Sequence, residues 1–224
     1  MARTRGDLFT TGRRAVTLRD ITVALGPGTP EWPGETPFSC TWAWRIARGD
    51  SVNVSALTSS PHVGTHADAP LHVHDGWPPA HELPLDAFHG PALVRTVRAD
   101  RDAITLDDIP DLPDAPIERL LLRTGMSVAR GTFPDRWPAL SPDAACTLVE
   151  RGLRLLGVDA PSVDARTSKD LAVHHALFRG AACVLESLDL HAITDGTYEL
   201  TAYPLKIEGA DAAPVRAVLR DLKI

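Results

Sequence analysis

The chain has 224 residues, of which 44% are hydrophobic and 23% are charged, and its formal net charge is −6. These values are ordinary for a globular protein large enough to bury a core without disulfides. No cluster of lysine and arginine with interleaved aromatic residues is present, which excludes a nucleic-acid-binding surface. No apolar run approaches the ~20 residues of a membrane span, and no signal-peptide core follows the basic N-terminus. The sequence therefore predicts a cytoplasmic protein that binds neither nucleic acid nor membrane.

The cysteines are few and odd in number: Cys40, Cys146 and Cys183. None belongs to a Cys-x-x-Cys pair, so neither a zinc ribbon nor a dithiol redox site is indicated. We interpret all three as buried thiols in a reducing compartment.

Most predicted elements are short strands. Residues 1–17 are predicted to be a flexible segment, and 18–224 a single domain. Between residues 26 and 37, four prolines and three glycines exclude helix and central strand. Alternating or β-rich apolar runs predict strands over 18–25, 38–46, 52–58, 92–97, 117–123, 153–158, 183–185, 199–203 and 214–222.

Two helices are predicted in the second half of the chain. Ser141 is a favourable N-cap with Pro142 at the first helical position, and this helix is expected to extend to about Arg151. The second helix is expected over 170–179, where Gly180 ends it. Strands and helices do not alternate regularly. The sequence therefore predicts one α/β domain with a mixed, largely antiparallel sheet flanked by helices.

Four of the nine histidines lie within thirteen residues, from His62 to His74. Gly64 and Pro70 argue against a helix here, so an extended or looped segment is expected. In such a segment the even positions His62, His66, Asp68 and His72 can project to one side. Imidazole and carboxylate are the preferred ligands of zinc and similar ions. The stretch therefore predicts a metal site with an adjacent base, whereas His74, His81, His89 and His191 are interpreted as solvated or structural.

The segment His62-x-Gly64-Thr65-His66-x-Asp68-Ala69-Pro70-x-His72 resembles the signature of the cyclase family, whose best-known bacterial members are kynurenine formamidases. The proline-rich stretch over 27–38, which contains Trp32, resembles the N-terminal pattern of the formamidases. The stretches 174–178 and 185–188 resemble the second metal-ligand region of the family. The likeness extends from about residue 18 to the C-terminus.

The resemblance implies a swivelling β/β/α-like fold and two zinc ions per subunit, with manganese as an alternative metal. His62, His66 and Asp68 would hold the first ion. Asp68 would bridge to the second ion, which His174 and Glu186 complete. On composition alone, His174 and Glu186 would be ordinary core or edge residues, so their assignment depends on the resemblance.

The resemblance also implies roles for two further residues. His72 would be the catalytic proton shuttle, although it is also a candidate metal ligand. Trp32 would bind the aromatic ring of a small-molecule arylformamide substrate, or else only seal its loop onto the core. A homodimer is expected as well.

Three functions follow as hypotheses. The first is an arylformamidase that converts N-formyl-L-kynurenine to L-kynurenine and formate in tryptophan degradation. The second is a related hydrolase acting on isatin, a cyclic imide or a lactone. The third is a metal-binding module without catalysis, which is disfavoured because a structural zinc site closes at four ligands and would leave His72 without a role.

Overall fold

The computed structural model describes residues 17–98 and 100–222, so residues 1–16 of the predicted flexible segment lie outside the described residues. The strands are β1 (Leu18–Asp20), β2 (Ser39–Trp44), β3 (Val54–Thr58), β4 (His66–Asp68), β5 (His89–Thr96), β6 (Ala103–Ile104), β7 (Arg119–Arg123), β8 (Ala139–Leu140), β9 (Leu155–Val158), β10 (Cys183–Glu186), β11 (Gly196–Thr201), β12 (Ala212–Pro214) and β13 (Val218–Asp221). The α-helices are α1 (Pro142–Glu150) and α2 (Ala172–Arg179).

Nine strands form one curled sheet in the order β1-β13-β11-β5-β7-β9-β10-β4-β12. The central strands β5, β7, β9 and β10 are parallel to one another. Every other neighbouring pair in this sheet is antiparallel. The predicted mixed, largely antiparallel sheet is therefore confirmed, as is the α/β class.

Strands β7, β9 and β10 are mostly apolar and buried because both faces of the sheet are covered there. In β7, Leu120 and Leu122 face one core cluster and Leu121 faces the other, following the two-residue period of a strand. Both α-helices pack on the Leu120 side, through residues such as Leu148 and Leu177. On the opposite face, the second core cluster is formed by side chains of the curled sheet itself and of short helical turns. The expected helices therefore flank only one face.

Helix α1 begins as predicted, since the Ser141 hydroxyl accepts a hydrogen bond from the Ala144 N–H at 3.2 Å. Helix α2 begins at Ala172, two residues later than predicted. Its first free N–H groups, those of Val173 and His174, donate to the carboxylate of Asp164 at 3.0 Å each. A cap from a distant loop therefore sets the start of this helix, which local sequence does not reveal.

Strands β2 and β3 form a separate hairpin whose residues are all exposed. This hairpin explains one error of the sequence interpretation, because Cys40 lies on β2 and is exposed rather than buried. Cys146 is also exposed, since it lies on the solvent side of α1. Only Cys183 is a buried thiol, and burial raises its pKa to about 12.

Among the described residues, no helix combines the length and the apolar character needed to cross a membrane.

Candidate metal-dependent active site

Strand β4 lies inside the sheet, between β10 and β12. Its ends, His66 and Asp68, point to the same side, while Ala67 between them points into the core. The register pairs His66 with Glu186 on β10. The sheet thus brings together two predicted ligands that are 120 residues apart in sequence.

The first group of converging side chains is His62, His66 and Asp68. One oxygen of Asp68, Oδ1, lies 3.1 Å from Nδ1 of His62 and 3.2 Å from Nε2 of His66. His66 is oriented by the carbonyl of Gly64, which lies 2.8 Å from Nδ1. Gly64 has a φ of +71°, a conformation that favours glycine.

The second group is Asp68, His174 and Glu186, all of them buried. The other oxygen of Asp68, Oδ2, lies 3.1 Å from Nε2 of His174. The same nitrogen lies 3.3 Å from Oε1 of Glu186, which also accepts the Val163 N–H at 2.8 Å. The two groups therefore share Asp68, with one carboxylate oxygen facing each group.

The second ring nitrogen of each histidine is held by an oxygen that can only accept a hydrogen bond. His62 Nε2 lies 2.9 Å from Asp211, and His174 Nδ1 lies 2.6 Å from Asp164. His66 Nδ1 lies 2.8 Å from the carbonyl oxygen of Gly64. Each of these nitrogens donates to its acceptor, so the other nitrogen of each ring faces the shared carboxylate and is the one available to a metal ion.

Two buried atoms at the centre, Nε2 of His66 and Oδ1 of Asp68, have no hydrogen-bond partner among the described residues. Buried polar atoms are rarely left unpaired, because their desolvation is not offset. Imidazole nitrogens and carboxylate oxygens in this arrangement suit a divalent cation such as zinc. The residues present therefore fit a metal centre.

The carboxylates make this point strongly attractive to positive charge. Burial disfavours a charged His62, but its hydrogen bond to Asp211 and the adjacent carboxylate of Asp68 outweigh this and raise its pKa to about 10. Burial also opposes ionisation of Asp68, yet the attraction of His66 and a hydrogen bond from His174 hold its pKa well below its usual range. The pKa of His174 is raised well above its usual range, because carboxylate hydrogen bonds overcome burial. The negative electrostatic potential of these carboxylates therefore favours binding of either protons or a metal ion at the centre.

His72 lies in a short helical turn, Pro70–His72, directly after β4. Its ring centroid is 4.4 Å from that of His62 and 5.8 Å from that of His174. Its Nδ1 lies 3.4 Å from Asp211, and these two residues form a third converging group with His62. His72 is therefore beside the centre and partly exposed, within reach of both proposed roles.

A cavity of about 220 Å³ opens above these residues. The histidines and Glu186 line one part of it, and Trp32 and Phe133 line another. Trp32 packs edge-on against Phe133, with 5.5 Å between ring centroids. Trp32 is thus both packed onto the core and available to a ligand.

Sequence reasoning missed four side chains of this site: Glu35, Phe133, Asp164 and Asp211. Asp164 and Asp211 act on histidines that are 10 and 149 residues away. Neither lies in a recognisable motif, and only the folded chain brings them to their partners. A buried histidine that ligates metal does imply an acceptor for its second nitrogen, but not which one.

The comparisons with known proteins agree with this geometry. A family model named Cyclase, described as "Putative cyclase", matches residues 19–165, which is more than half of the chain. The chain belongs to the cyclase family. A kynurenine formamidase from Salinibacter ruber is 44% identical over 206 residues, covering 91% of this chain and 97% of that protein. The family assignment made from the sequence, including its formamidase likeness, is confirmed.

Solved structures of the family share the fold. One, described as a predicted metal-dependent hydrolase from Bacillus stearothermophilus, superposes with a TM-score of 0.79 at 30% identity and covers 93% of this chain and 100% of that one. Isatin hydrolase A from Labrenzia aggregata has a TM-score of 0.76 at 24% identity, covering 92% and 94%. The second likeness concerns the fold alone.

Replacing Asp164 by Asn tests the orientation of His174. The introduced carboxamide either turns its NH2 toward Nδ1, which forces the proton onto Nε2, or loses the cap of α2. In both cases we expect the affinity for divalent metal to fall roughly 10- to 100-fold. The measurement is calorimetric titration with zinc. The matched control is Asp170→Asn, since Asp170 is exposed and its carboxylate bonds only to Ser168 among the residues that the structure describes. Equal affinities in the two variants would contradict the assignment.

Proposed function

We propose that the protein is a metal-dependent formamide hydrolase that converts N-formyl-L-kynurenine to L-kynurenine and formate. The observation that carries the proposal is the pair of ligand groups sharing Asp68 on the floor of a small cavity with an aromatic wall. The relatives named kynurenine formamidase support the choice of substrate. A purely structural metal module is disfavoured because such a site would need neither the cavity nor His72.

The proposed cofactor is a pair of zinc ions, with manganese as the alternative metal. His62, His66 and Asp68 would hold one ion, and Asp68, His174 and Glu186 the other. When bound, such ions supply Lewis-acid charge for the carbonyl oxygen and make water acidic enough to ionise near neutral pH. Zinc fits the donor set because three of these five ligands are imidazoles.

The reaction forms a bond from the water oxygen to the formyl carbon and breaks the bond from that carbon to the aryl nitrogen. His72 accepts the proton of the attacking water and donates it to the departing nitrogen, so that formate and the free amine result. An imidazole suits both transfers because it can act as a base and then as an acid near neutral pH. Asp211 orients the His72 ring through Nδ1.

The cavity suits a substrate with one small and one large side. The formyl group is the smallest acyl group, and a small cavity of about 220 Å³ favours it over larger acyl groups. Trp32 and Phe133 offer edges and faces to an aryl ring. Pro30 and Pro33 stiffen the loop that carries Trp32, which lowers the entropy lost when the ring is bound.

A homodimer is part of the proposal, and the β2–β3 hairpin is its proposed interface. An isolated two-stranded hairpin is at best marginally stable in water. This one exposes large apolar side chains, among them Trp42, Trp44 and Leu57. Exposed apolar surface of this kind is typical of protein interfaces. A second copy of the chain, presenting the same apolar surface, is the proposed partner.

A cytoplasmic location is also proposed. The three cysteines are free, and Cys40 and Cys146 are exposed. Exposed thiols persist where the compartment is reducing.

The variant His72→Ala tests the proton shuttle. We expect turnover of N-formylkynurenine to fall on the order of a hundredfold or more while metal content stays the same. The measurements are steady-state kinetics and elemental analysis. His74→Ala serves as the control, because His74 stacks on Trp77 and does not line the cavity. Loss of metal in parallel with activity would instead make His72 a ligand.

The variant Trp32→Ala tests the aromatic wall and the substrate together. We expect kcat/KM for N-formylkynurenine to fall by an amount equivalent to roughly 1–3 kcal/mol of transition-state stabilisation, the contribution of one buried aromatic contact. Metal content should not change. Trp32→Phe should lose less. The wild-type protein should prefer N-formylkynurenine to its N-acetyl analogue and to isatin. Better turnover of isatin would favour the related hydrolase function, and a neutral Trp32→Ala would make this tryptophan structural.

The variant Leu57→Lys tests the dimer. A charge on the apolar hairpin should convert a species of twice 24.1 kDa into a monomer in sedimentation velocity. Leu85→Lys is the matched control, since Leu85 is similarly exposed but lies outside the hairpin. A wild-type monomer, or a dimer unaffected by Leu57→Lys, would rule out this interface.

A further inference from the structure

A carboxylate that belongs to neither ligand group also lines the cavity. Glu35 is half-buried on the same loop as Trp32, and both residues line the cavity. A backbone hydrogen bond from the Glu35 N–H to the Trp32 carbonyl, at 3.0 Å, closes the turn between them. The loop thus presents an aromatic ring and a negative charge to the same ligand.

The Glu35 carboxylate is held in place by one hydrogen bond and has capacity to accept others. Its Oε2 accepts the hydroxyl of Ser60 at 2.6 Å, and no bond to Oε1 is found among the described residues. A carboxylate has room for about four hydrogen bonds, so Glu35 can accept more. Because Ser60 already fixes the side chain, little further rotamer entropy is lost when a donor binds.

The charges of the cavity indicate which donor fits. Among the described residues that line it, there is no lysine and no arginine. A substrate carboxylate therefore finds no fixed cation there, while a substrate ammonium group finds Glu35. Ammonium to carboxylate is a charge-assisted hydrogen bond, about twice as strong as a neutral one.

We propose that Glu35 binds the α-ammonium group of an amino-acid arylformamide and so selects zwitterionic substrates over uncharged arylformamides. This assignment rests on the proposed function. In this arrangement the aryl ring lies against Trp32, the formamide lies over the shared carboxylate, and the amino-acid side chain of the substrate extends along the Trp32–Glu35 turn. The α-carboxylate is left toward solvent.

A purely structural role for Glu35 would have a different consequence. The Ser60 hydroxyl also accepts the His62 N–H at 3.3 Å, so Glu35 is linked to a proposed metal ligand through Ser60. If this link were its whole contribution, removing the charge would impair every substrate equally. Substrates that differ only in their charged groups therefore separate the two roles.

The experiment uses the metal-loaded protein, the variant Glu35→Gln and three formamides. These are N-formyl-L-kynurenine, its desamino analogue that keeps the carboxylate, and uncharged ortho-acetylformanilide. Glutamine keeps the size of the side chain and can still accept the Ser60 hydroxyl. The control is Glu31→Gln, which removes a carboxylate of the same loop that does not line the cavity.

We expect Glu35→Gln to raise KM for N-formyl-L-kynurenine roughly tenfold, with kcat changed by less than about twofold, because one charge-assisted bond is lost. KM for ortho-acetylformanilide should not change. KM for the desamino carboxylate should fall, since a repulsive charge is removed. Glu31→Gln should behave as wild type.

An equal loss for all three formamides, or no loss for N-formyl-L-kynurenine, would overturn the Glu35 assignment and leave the proposed function intact. A wild-type protein that hydrolyses none of the three would instead overturn the proposed function.

Discussion

The buried carboxylate of Asp68 is the constraint on which the rest of the site depends. It is almost inaccessible to water, and each of its oxygens faces imidazole nitrogens from a different part of the chain. An ionised carboxylate costs several kcal/mol to bury unless it is paired. Strand β4, which carries it, is hydrogen-bonded on both sides, so Asp68 cannot move away from its partners. The surrounding acceptors then fix each imidazole, so that its other nitrogen faces Asp68.

The proposed ligands of this centre could be predicted from the sequence, but the residues that orient them could not. His62, His66, Asp68 and His72 form a local cluster whose chemistry is evident from residue type and spacing, and the family likeness added His174 and Glu186. The four parallel central strands β5, β7, β9 and β10 and the position of α1 also followed from apolar pattern and capping, whereas β4 and β12 were not predicted as strands. By contrast, Asp164 caps the start of α2 from a loop and also lies 2.6 Å from Nδ1 of His174, and nothing in local sequence marks it. The exposed Cys40 was misjudged because a β-rich pattern does not distinguish a core strand from a projecting hairpin.

The rigid and variable parts of the site are separated in the fold. The proposed ligands lie on or next to β4, β10 and α2, whereas Trp32, Glu35 and Phe133 lie in connecting segments. Such segments tolerate substitution better than sheet strands do. The same metal chemistry can then serve different substrates when only the loops change.

The most direct test of the account is an anomalous-scattering crystal structure of the protein loaded with zinc. The account predicts two peaks per chain, one beside His62 and His66 and the other beside His174 and Glu186, with one oxygen of Asp68 directed at each. A single peak would contradict the shared carboxylate. So would a second ion bound by His62, His72 and Asp211, since Asp68 would then serve only one metal and His72 would be a ligand rather than the proton shuttle.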